Sequence, residues 1–556
     1  MASTDLSSIQ AKLKFGQVEL SKGEYHLLSQ ILVDDGSKKV IPQLLSSMEG
    51  LVRCRGMVQD MMDPEYFFQG TAPSSEVDPT QLAEKLGERL PLLLVPLPFA
   101  SEWTLDVDER GEEKETRTES KKRLRDESME GEKDSIPKKQ VTGSPTAILD
   151  FSRVSQDAKR TKQWSWPPGC MGSNPKETPV VCHFYYDIHK GPKLRLNDVV
   201  EVIGMLDPVF TSNQMDECED PSFFHEDTFF EEEENEPTKT LPRLHAVCYR
   251  KIDLEDLVDD AEPMETEDET FKSLCAAALG STTAADALFV SLFSQAEREI
   301  SRDTDAVSVP AKTPYDTTLG CASLNLILPN VESCNTAATH LQRLLQHVIP
   351  VVGRIDMNEV GIMSPIKMGA HLVPSPFQLP KGATVIVVDN RLDEKALSAE
   401  TLEALQSMVK DHSVPYRFDG GMSFKFEADF RIVVLSPASR GNAMLPCTLT
   451  MKLREPESIL NPQNISENDA MQLRSRLARG RKSNVGLGSD VLAVAQQDFV
   501  DRRQEARDLE TKLDGEEDFH RWLTLTRLCA RSEGRDEATI EDWKNALRLD
   551  DSMRKA

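Results

Sequence analysis

Three short apolar runs constrain the middle of this chain more than anything else in it. They are Ala322-Ser-Leu-Asn-Leu-Ile-Leu328, Thr384-Val-Ile-Val-Val388 and Phe430-Arg-Ile-Val-Val-Leu435. Each is Leu-rich or β-branched and ends in turn residues: Pro329, Asp389-Asn390 and Ser436-Pro437. Runs that barely alternate suit strands buried on both faces of a sheet. Between the first two lies Ala337 to Ile349, whose Leu341, Leu344, Leu345, Val348 and Ile349 recur at helical spacing. Strand, loop, helix, strand is the skeleton of an α/β nucleotide-binding domain.

The polar residues around that skeleton do not supply nucleotide chemistry. A phosphate-binding loop needs glycines so that backbone N–H groups can approach the phosphates, then Lys and Ser/Thr for phosphate and magnesium. The stretch in that position reads as a loop, Pro329-Asn-Val-Glu-Ser-Cys-Asn-Thr336. It has no Gly and no Lys, Glu332 would repel a phosphate, and Thr336 alone keeps the right chemical type. The second strand ends in Asp389-Asn390 where a hydrolase wants two acids, one for the metal and one to orient water. Three readings stay open from these residues: a nucleotide-binding fold stripped of its chemistry, an α/β domain that never bound nucleotide, or a weak ATPase relying on Asp389, against which the missing Gly and Lys count. The first two imply no cofactor.

At 556 residues the chain has room for about three or four domains. A formal net charge of −28 argues against a general nucleic-acid binder, which needs clustered Lys and Arg. The 10 cysteines include no C-x-x-C pair, so they read as reduced intracellular thiols rather than a disulfide framework or zinc site. The first residues show no basic-then-apolar leader pattern, and no apolar run approaches the ~18 residues of a membrane span.

The N-terminal half reads as strands. Leu51 to Val58 alternates, Tyr66-Phe-Phe68 and Leu92 to Leu97 are extended, and Val180 to Tyr186, Leu194 to Leu206 and Leu241 to Tyr249 follow. Short strands with polar connections point to a small barrel of the oligonucleotide/oligosaccharide-binding (OB) type, with Gly204 letting a strand bend. Such a barrel raises the alternative of single-stranded nucleic-acid binding through Phe184, Tyr185 and Tyr186. The basic residues near them, Arg53, Arg55, Lys190, Lys193 and Arg195, form no stripe.

Two insertions interrupt the barrel. Residues 106–176 are charged and poor in apolar side chains. They hold Lys121, Lys122, Arg123 and Arg125 and, after an acidic spacer, Lys138 and Lys139, the pattern of a bipartite nuclear localisation signal. Residues 213–238 are acidic around the paired Phe223-Phe224 and Phe229-Phe230, as in a solvated partner-binding segment or a plain acidic loop. Past residue 252 come an acidic linker and Ala-rich packing helices. At the far end Asp518 to Ala530 and Ala538 to Leu549 read as amphipathic helices, Thr539 being an N-cap candidate. An α/β core followed by a helical lid is the plan of AAA+ modules. Arg440, after the third apolar run, reads either as an ordinary surface arginine or as a residue that touches a neighbouring subunit in a ring.

The expected fold is therefore a multidomain α+β chain, with a split OB-like β-barrel, a degenerate AAA+-like α/β domain and a C-terminal helical lid. The expected boundaries are 1–45 for an N-terminal segment, 46–105 with 177–252 for the barrel, 253–305 for the linker and helices, 306–455 for the α/β domain and 456–556 for the C-terminal helices.

The order of certain segments resembles the minichromosome maintenance (MCM) complex-binding protein family. The residues that carry this are Val52 to Tyr66, Val95-Pro-Leu-Pro-Phe-Ala-Ser-Glu-Trp103, Lys193 to Leu206, Leu241-Pro-Arg-Leu-His245, Leu379 to Asp389, Gln497-Asp-Phe-Val-Asp-Arg-Arg503 and the Trp522 to Leu549 tail. The resemblance implies a fold related to the MCM helicase subunits and a non-enzymatic partner of those subunits; the missing phosphate loop and the acidic charge add the expectations of no cofactor and no direct nucleic-acid binding. It also implies a nuclear location with a cytoplasmic pool, and roles in complex assembly, protection of new subunits, release from chromatin, DNA replication and sister-chromatid cohesion.

Overall fold

The computed structural model describes residues 51–68, 86–104, 179–186, 194–207, 241–258, 267–296, 321–358, 364–368, 371–391, 397–418, 421–440, 445–453, 465–508 and 514–555. The N-terminal segment, the basic clusters at Lys121–Arg125 and Lys138–Lys139 and the acidic insertion lie outside these residues. The chain divides into two compact units, one of them holding the barrel strands with residues 366–374 and the other holding residues 99–115, 253–365 and 375–556.

The strands of the first unit are β1 (Leu51–Met61), β2 (Glu65–Phe68), β3 (Leu86–Val95), β4 (Val180–Tyr186), β5 (Val199–Asp207) and β6 (Arg243–Ile252). They bond in the order β1-β5-β6-β4-β3-β2, and a further β1–β3 pairing closes five of them into a barrel with β2 outside. All these pairs are antiparallel except β4–β6. Strands from either side of the 106–176 insertion thus meet directly, Leu94 facing Val180. Alternation puts Val58, Leu92, Leu94, Cys182, Phe184, Val200, Val202, Leu244 and Tyr249 into one buried cluster.

The bend expected at Gly204 is present. The β5–β6 register slips between Ile203 and Gly204, and a Cβ at Gly204 would lie 2.4 Å from the His245 carbonyl oxygen. Only a residue without a side chain lets the two backbones approach this closely. On the same strand Glu201 is 0% exposed. It is satisfied by Arg55, which donates at 2.7 and 3.0 Å, and by Arg250 at 2.6 Å. The short hairpin Ile366–Met368/His371–Val373 belongs to this unit. Asp60 anchors it by accepting from Lys367 Nζ at 3.0 Å and the Leu372 N–H at 2.8 Å.

The second unit contains α1 (Glu267–Leu279), α2 (Thr282–Ser291), β7 (Leu324–Leu328), α3 (Val331–Val348), β8 (Val352–Asp356), β9 (Thr384–Val388), α4 (Ala399–Lys410), β10 (Ser413–Phe418), β11 (Met422–Glu427), β12 (Arg431–Pro437) and β13 (Leu449–Lys452). Helices α5 (Glu467–Lys482), α6 (Ser489–Asp508), α7 (Glu516–Ser532) and α8 (Ile540–Lys555) follow. β7, β8, β9, β12 and β13 form one parallel sheet in the order β13-β7-β12-β9-β8. The three apolar runs are its central strands. Leu324, Leu326, Ile386, Val388, Val433 and Leu435 share a core with Phe271, Leu288, Leu341, Leu473, Leu525 and Met553, so helices from before and after the sheet pack on it.

One edge of that sheet is covered by the segment Phe99–Thr104. Ala100 bridges to Val351, the Phe99 carbonyl accepts the Val352 N–H at 3.2 Å, and Trp103 Nε1 donates to the Gln346 carbonyl at 2.9 Å. The Arg474 guanidinium sits 4.1 Å above the Trp103 ring. Inside the unit, Arg481 lies 2.7 Å from Glu255 and bonds Asp429 at 2.9 Å, tying the 3-10 turn Leu254–Leu257 to α5.

Replacing Gly204 with Val forces side-chain atoms onto the His245 carbonyl, and is expected to cost ~3 kcal/mol of barrel stability. Chemical denaturation followed by a barrel-specific probe measures it, and an unchanged midpoint would refute this account of the bend.

Candidate functional site

In an open α/β sheet, ligands bind beyond the carboxyl ends of the strands, where the strand order reverses. Here the order reverses between β7 and β12. The residues that could act lie at the ends of β7, β8, β9 and β12 and at the start of α3.

The connection from β7 to α3 is much shorter than the sequence reading expected. Helix α3 begins at Val331, so only Pro329 and Asn330 lie between strand and helix, and the eight-residue loop Pro329–Thr336 does not exist as such. The cause is local. Asn330 Oδ1 accepts the Ser333 N–H at 2.8 Å, an N-cap that starts the helix two turns early. Cys334, Ala337 and Ala338 are buried and extend the apolar face of Leu341 and Leu345 back to the first turn. Glu332 is exposed in that turn. Thr336 donates its hydroxyl back to the Glu332 carbonyl at 3.0 Å. A two-residue turn without Gly offers no nest of N–H groups for a phosphate chain.

The acids at the sheet edge are closed by their neighbours. Asp389 accepts two bonds from Arg391, at 2.8 and 2.9 Å, in the parallel fork geometry of a strong guanidinium–carboxylate pair. The pair is nearly buried, with side chains 5% and 10% exposed. The bond to Asp389 raises the Arg391 pKa above its ordinary value against the lowering effect of burial. At the end of β8, Asp356 Oδ1 takes Arg354 Nε at 3.0 Å and Nη2 at 2.9 Å. Asn390 Nδ2 donates to that same oxygen at 3.1 Å and to Asn335 Oδ1 at 3.2 Å, while its Oδ1 accepts the Asn358 N–H at 3.0 Å. Arg354 also reaches Asn335 and Thr339 on α3, at 3.3 and 3.0 Å.

Asp389 and Asn390 are therefore assembled at the strand ends, with Asp356 as the second acid that sequence reading missed. Each of the two acids is paired with an arginine of the same chain. Asn335, rather than Glu332 or Thr336, is the helix residue that joins this edge. Across the switch point, Ser436 Oγ donates to Asn325 Oδ1 at 2.8 Å. Arg440 ends the 3-10 turn Ala438–Arg440 directly after β12, and its side chain is outside the described set.

The barrel was the other candidate surface. Phe184 is core, 1% exposed and edge-on to Tyr249 at 5.1 Å. Tyr185 is partly buried, with its hydroxyl 2.5 Å from His245 Nδ1. Arg55 and Arg250 are tied to Glu201, Arg89 to Glu65 and Lys251 to Asp198. Of the cations named in the sequence reading, Arg55 is paired in this way, and Lys190, Lys193 and the Arg53 side chain lie outside the described residues. Burial pushes the thiols of Cys54 and Cys248 up to about 12, so both stay protonated at neutral pH. Among the described residues no group of three or more His, Cys, Asp and Glu is placed to hold a metal, and no helix is long and apolar enough to cross a membrane.

Comparison with known proteins adds what the geometry lacks. A family model described as mini-chromosome maintenance replisome factor matches residues 68–556. A mini-chromosome maintenance complex-binding protein of Arabidopsis thaliana is 24% identical over 95% of this chain and 92% of its own length. Proteins of the same name from Danio rerio and Homo sapiens are each 22% identical over 90% of this chain, and over 87% and 88% of their own lengths.

Arg391→Met leaves Asp389 buried without its partner and is expected to cost ~3 kcal/mol, whereas adding Asp389→Leu should restore most of that loss. Equal losses in the single and double variants, measured by denaturant titration, would contradict the closed-pair description.

Proposed function

The chain belongs to the mini-chromosome maintenance replisome factor family, and we propose that it is a non-catalytic binding partner of the MCM complex. Its relatives are named as binding proteins for that complex. The observation that carries the non-catalytic part is the sheet edge: both acids at the strand ends are held by arginines of the same chain, and the strand-to-helix turn has no room to wrap a phosphate.

We read the parallel-sheet unit as a degenerate relative of AAA+ modules, with α5 to α8 as its lid. Support comes from the parallel sheet with a switch point between β7 and β12, followed in sequence by a helical region. AAA+ modules assemble by packing one α/β domain against the next. A member that keeps such packing surfaces without a working nucleotide site can dock on MCM subunits without firing them. Arg440, just after β12, is placed in this reading at the contact with a neighbouring subunit. Assembly of the complex, shelter of newly made subunits, release from chromatin and support of replication and cohesion follow as the roles of such a scaffold. The basic clusters at Lys121–Arg125 and Lys138–Lys139 are proposed to bring it into the nucleus, with a cytoplasmic pool remaining. Contact with chromatin is proposed to run through the bound proteins rather than the barrel, consistent with the −28 charge.

The test is purification of the tagged full chain from nuclear and cytosolic extract at moderate salt with nuclease added. MCM subunits are expected in near-stoichiometric amount by mass spectrometry. Their loss together with the DNA would remove the direct-scaffold reading.

A further inference from the structure

Strand β11, Met422-Ser-Phe-Lys-Phe-Glu427, holds a tetrapeptide that packing does not explain. In Phe424-Lys425-Phe426-Glu427 a lysine follows a large apolar residue and precedes an acid by two positions. Of all the lysines in the chain, Lys425 alone stands in that setting. A conjugating enzyme of the ubiquitin-like class that reads its acceptor directly needs this spacing. The chain lies extended across the catalytic groove, the apolar residue seats in a shallow pocket, and the acid pairs with basic residues beside the groove. The lysine stem then reaches the reactive thioester. Alternation in an extended chain puts lysine and acid on one face and the apolar residue on the other.

Lys425 meets these needs. β11 is already extended, and it pairs with β10 in unbroken register from Ser413–Glu427 to Phe418–Met422. Among the described residues it ends its sheet, so one side of the strand is open. On one face Phe424 and Met422 are 55% and 57% exposed, although Tyr416 opposite Phe424 is 0% exposed. The Phe424 ring is held edge-on to Phe418, 5.5 Å between centroids. Folds normally keep large apolar side chains off a regular edge strand. Here the exposed ring is the residue that such an enzyme seats. Lys425 and Glu427 are exposed on the other face. Lys425 Nζ lies 2.7 Å from Asp411, with the two side chains 37% and 44% exposed. So open a pair contributes at most ~1 kcal/mol, and the lysine leaves it at little cost.

We propose that Lys425 is an acceptor for a small ubiquitin-like modifier (SUMO), joined through an isopeptide bond. The donor is the modifier carried as a thioester on its conjugating enzyme. The Lys425 ammonium gives one proton to solvent, and the free amine attacks the thioester carbonyl. The N–C bond forms as the C–S bond breaks, and the second proton leaves with the enzyme's thiol. No oxidant or reductant enters. Ubiquitin is not the choice, because its transfer does not depend on the residues flanking the lysine and would leave the tetrapeptide unexplained. The site does not rest on the binding function proposed above.

The experiment incubates the full-length chain with SUMO, its activating and conjugating enzymes, magnesium and ATP, and maps the conjugates by mass spectrometry. A single conjugate at Lys425 is expected. Lys425→Arg keeps a cation beside Asp411 and cannot accept the modifier, so it should abolish the conjugate at an unchanged thermal midpoint. Phe424→Ser and Glu427→Gln leave the lysine in place and should each slow conjugation at least about tenfold. Lys544→Arg, at an exposed position on α8 outside such a tetrapeptide, should change nothing. No conjugate on the wild type, undiminished conjugation of Lys425→Arg, or wild-type rates in both the Phe424 and Glu427 variants overturns the proposal. Labelling of Lys425 by ubiquitin and its own enzymes as fast as by SUMO overturns it as well.

Discussion

A parallel sheet buried on both faces cannot stand without helices on each side, and that requirement organises the second unit. β7, β9 and β12 expose almost nothing. The face made by Leu324, Leu326, Ile386, Val388, Val433 and Leu435 is met by α3, by α1 and α2 from earlier in the chain, and by α5, α7 and α8 from later in it. Helices α5, α7 and α8 are thus part of the sheet's own core, while α6 packs in a separate cluster with Trp522 and Trp543. The sheet also needs its edge at β8 closed, and the Phe99–Thr104 segment does this through backbone and side-chain contacts to residues 346–352.

Within this frame the two acids at the carboxyl edge of the sheet are each bonded to an arginine of the same chain. An ion pair of two nearly buried groups contributes little net stability compared with apolar replacements, yet removal of either partner is costly. Asp389 and Arg391 therefore hold each other in place. A metal would have to displace a guanidinium that already satisfies both carboxylate oxygens. Arg354 holds Asp356 through one oxygen only, Oδ1, while reaching across to Asn335 and Thr339 on α3. The short turn at Pro329-Asn330 and the two arginines act in the same direction: the carboxyl edge is held together by its own side chains.

Much of this was legible in the sequence, for definite reasons. Short apolar runs between turn residues marked β7, β9 and β12, and the Thr384–Val388 reading coincides with β9. Gly204 was visible because a glycine within a strand pattern signals a close backbone approach. The start of α3 was missed because Ser333, Asn335 and Thr336 look like loop residues. The signal was nonetheless there: Asn330 followed three residues later by Ser333, and Cys334, Ala337 and Ala338 in phase with Leu341. Arg354, Asp356 and Arg391 could not be found by pattern, since their pairing depends on where separate strand ends meet. The open face of β11 was hidden likewise: Met422, Phe424 and Phe426 alternate in the sequence, but only the register with β10 shows which half is covered.

The most direct measurement of the central claim is native mass spectrometry of the purified chain mixed with purified MCM subunits, with and without magnesium and ATP. The account predicts a complex that forms without nucleotide, in which this chain carries no bound nucleotide mass. A complex that assembles only when this chain holds ATP, or no complex under either condition, would contradict it.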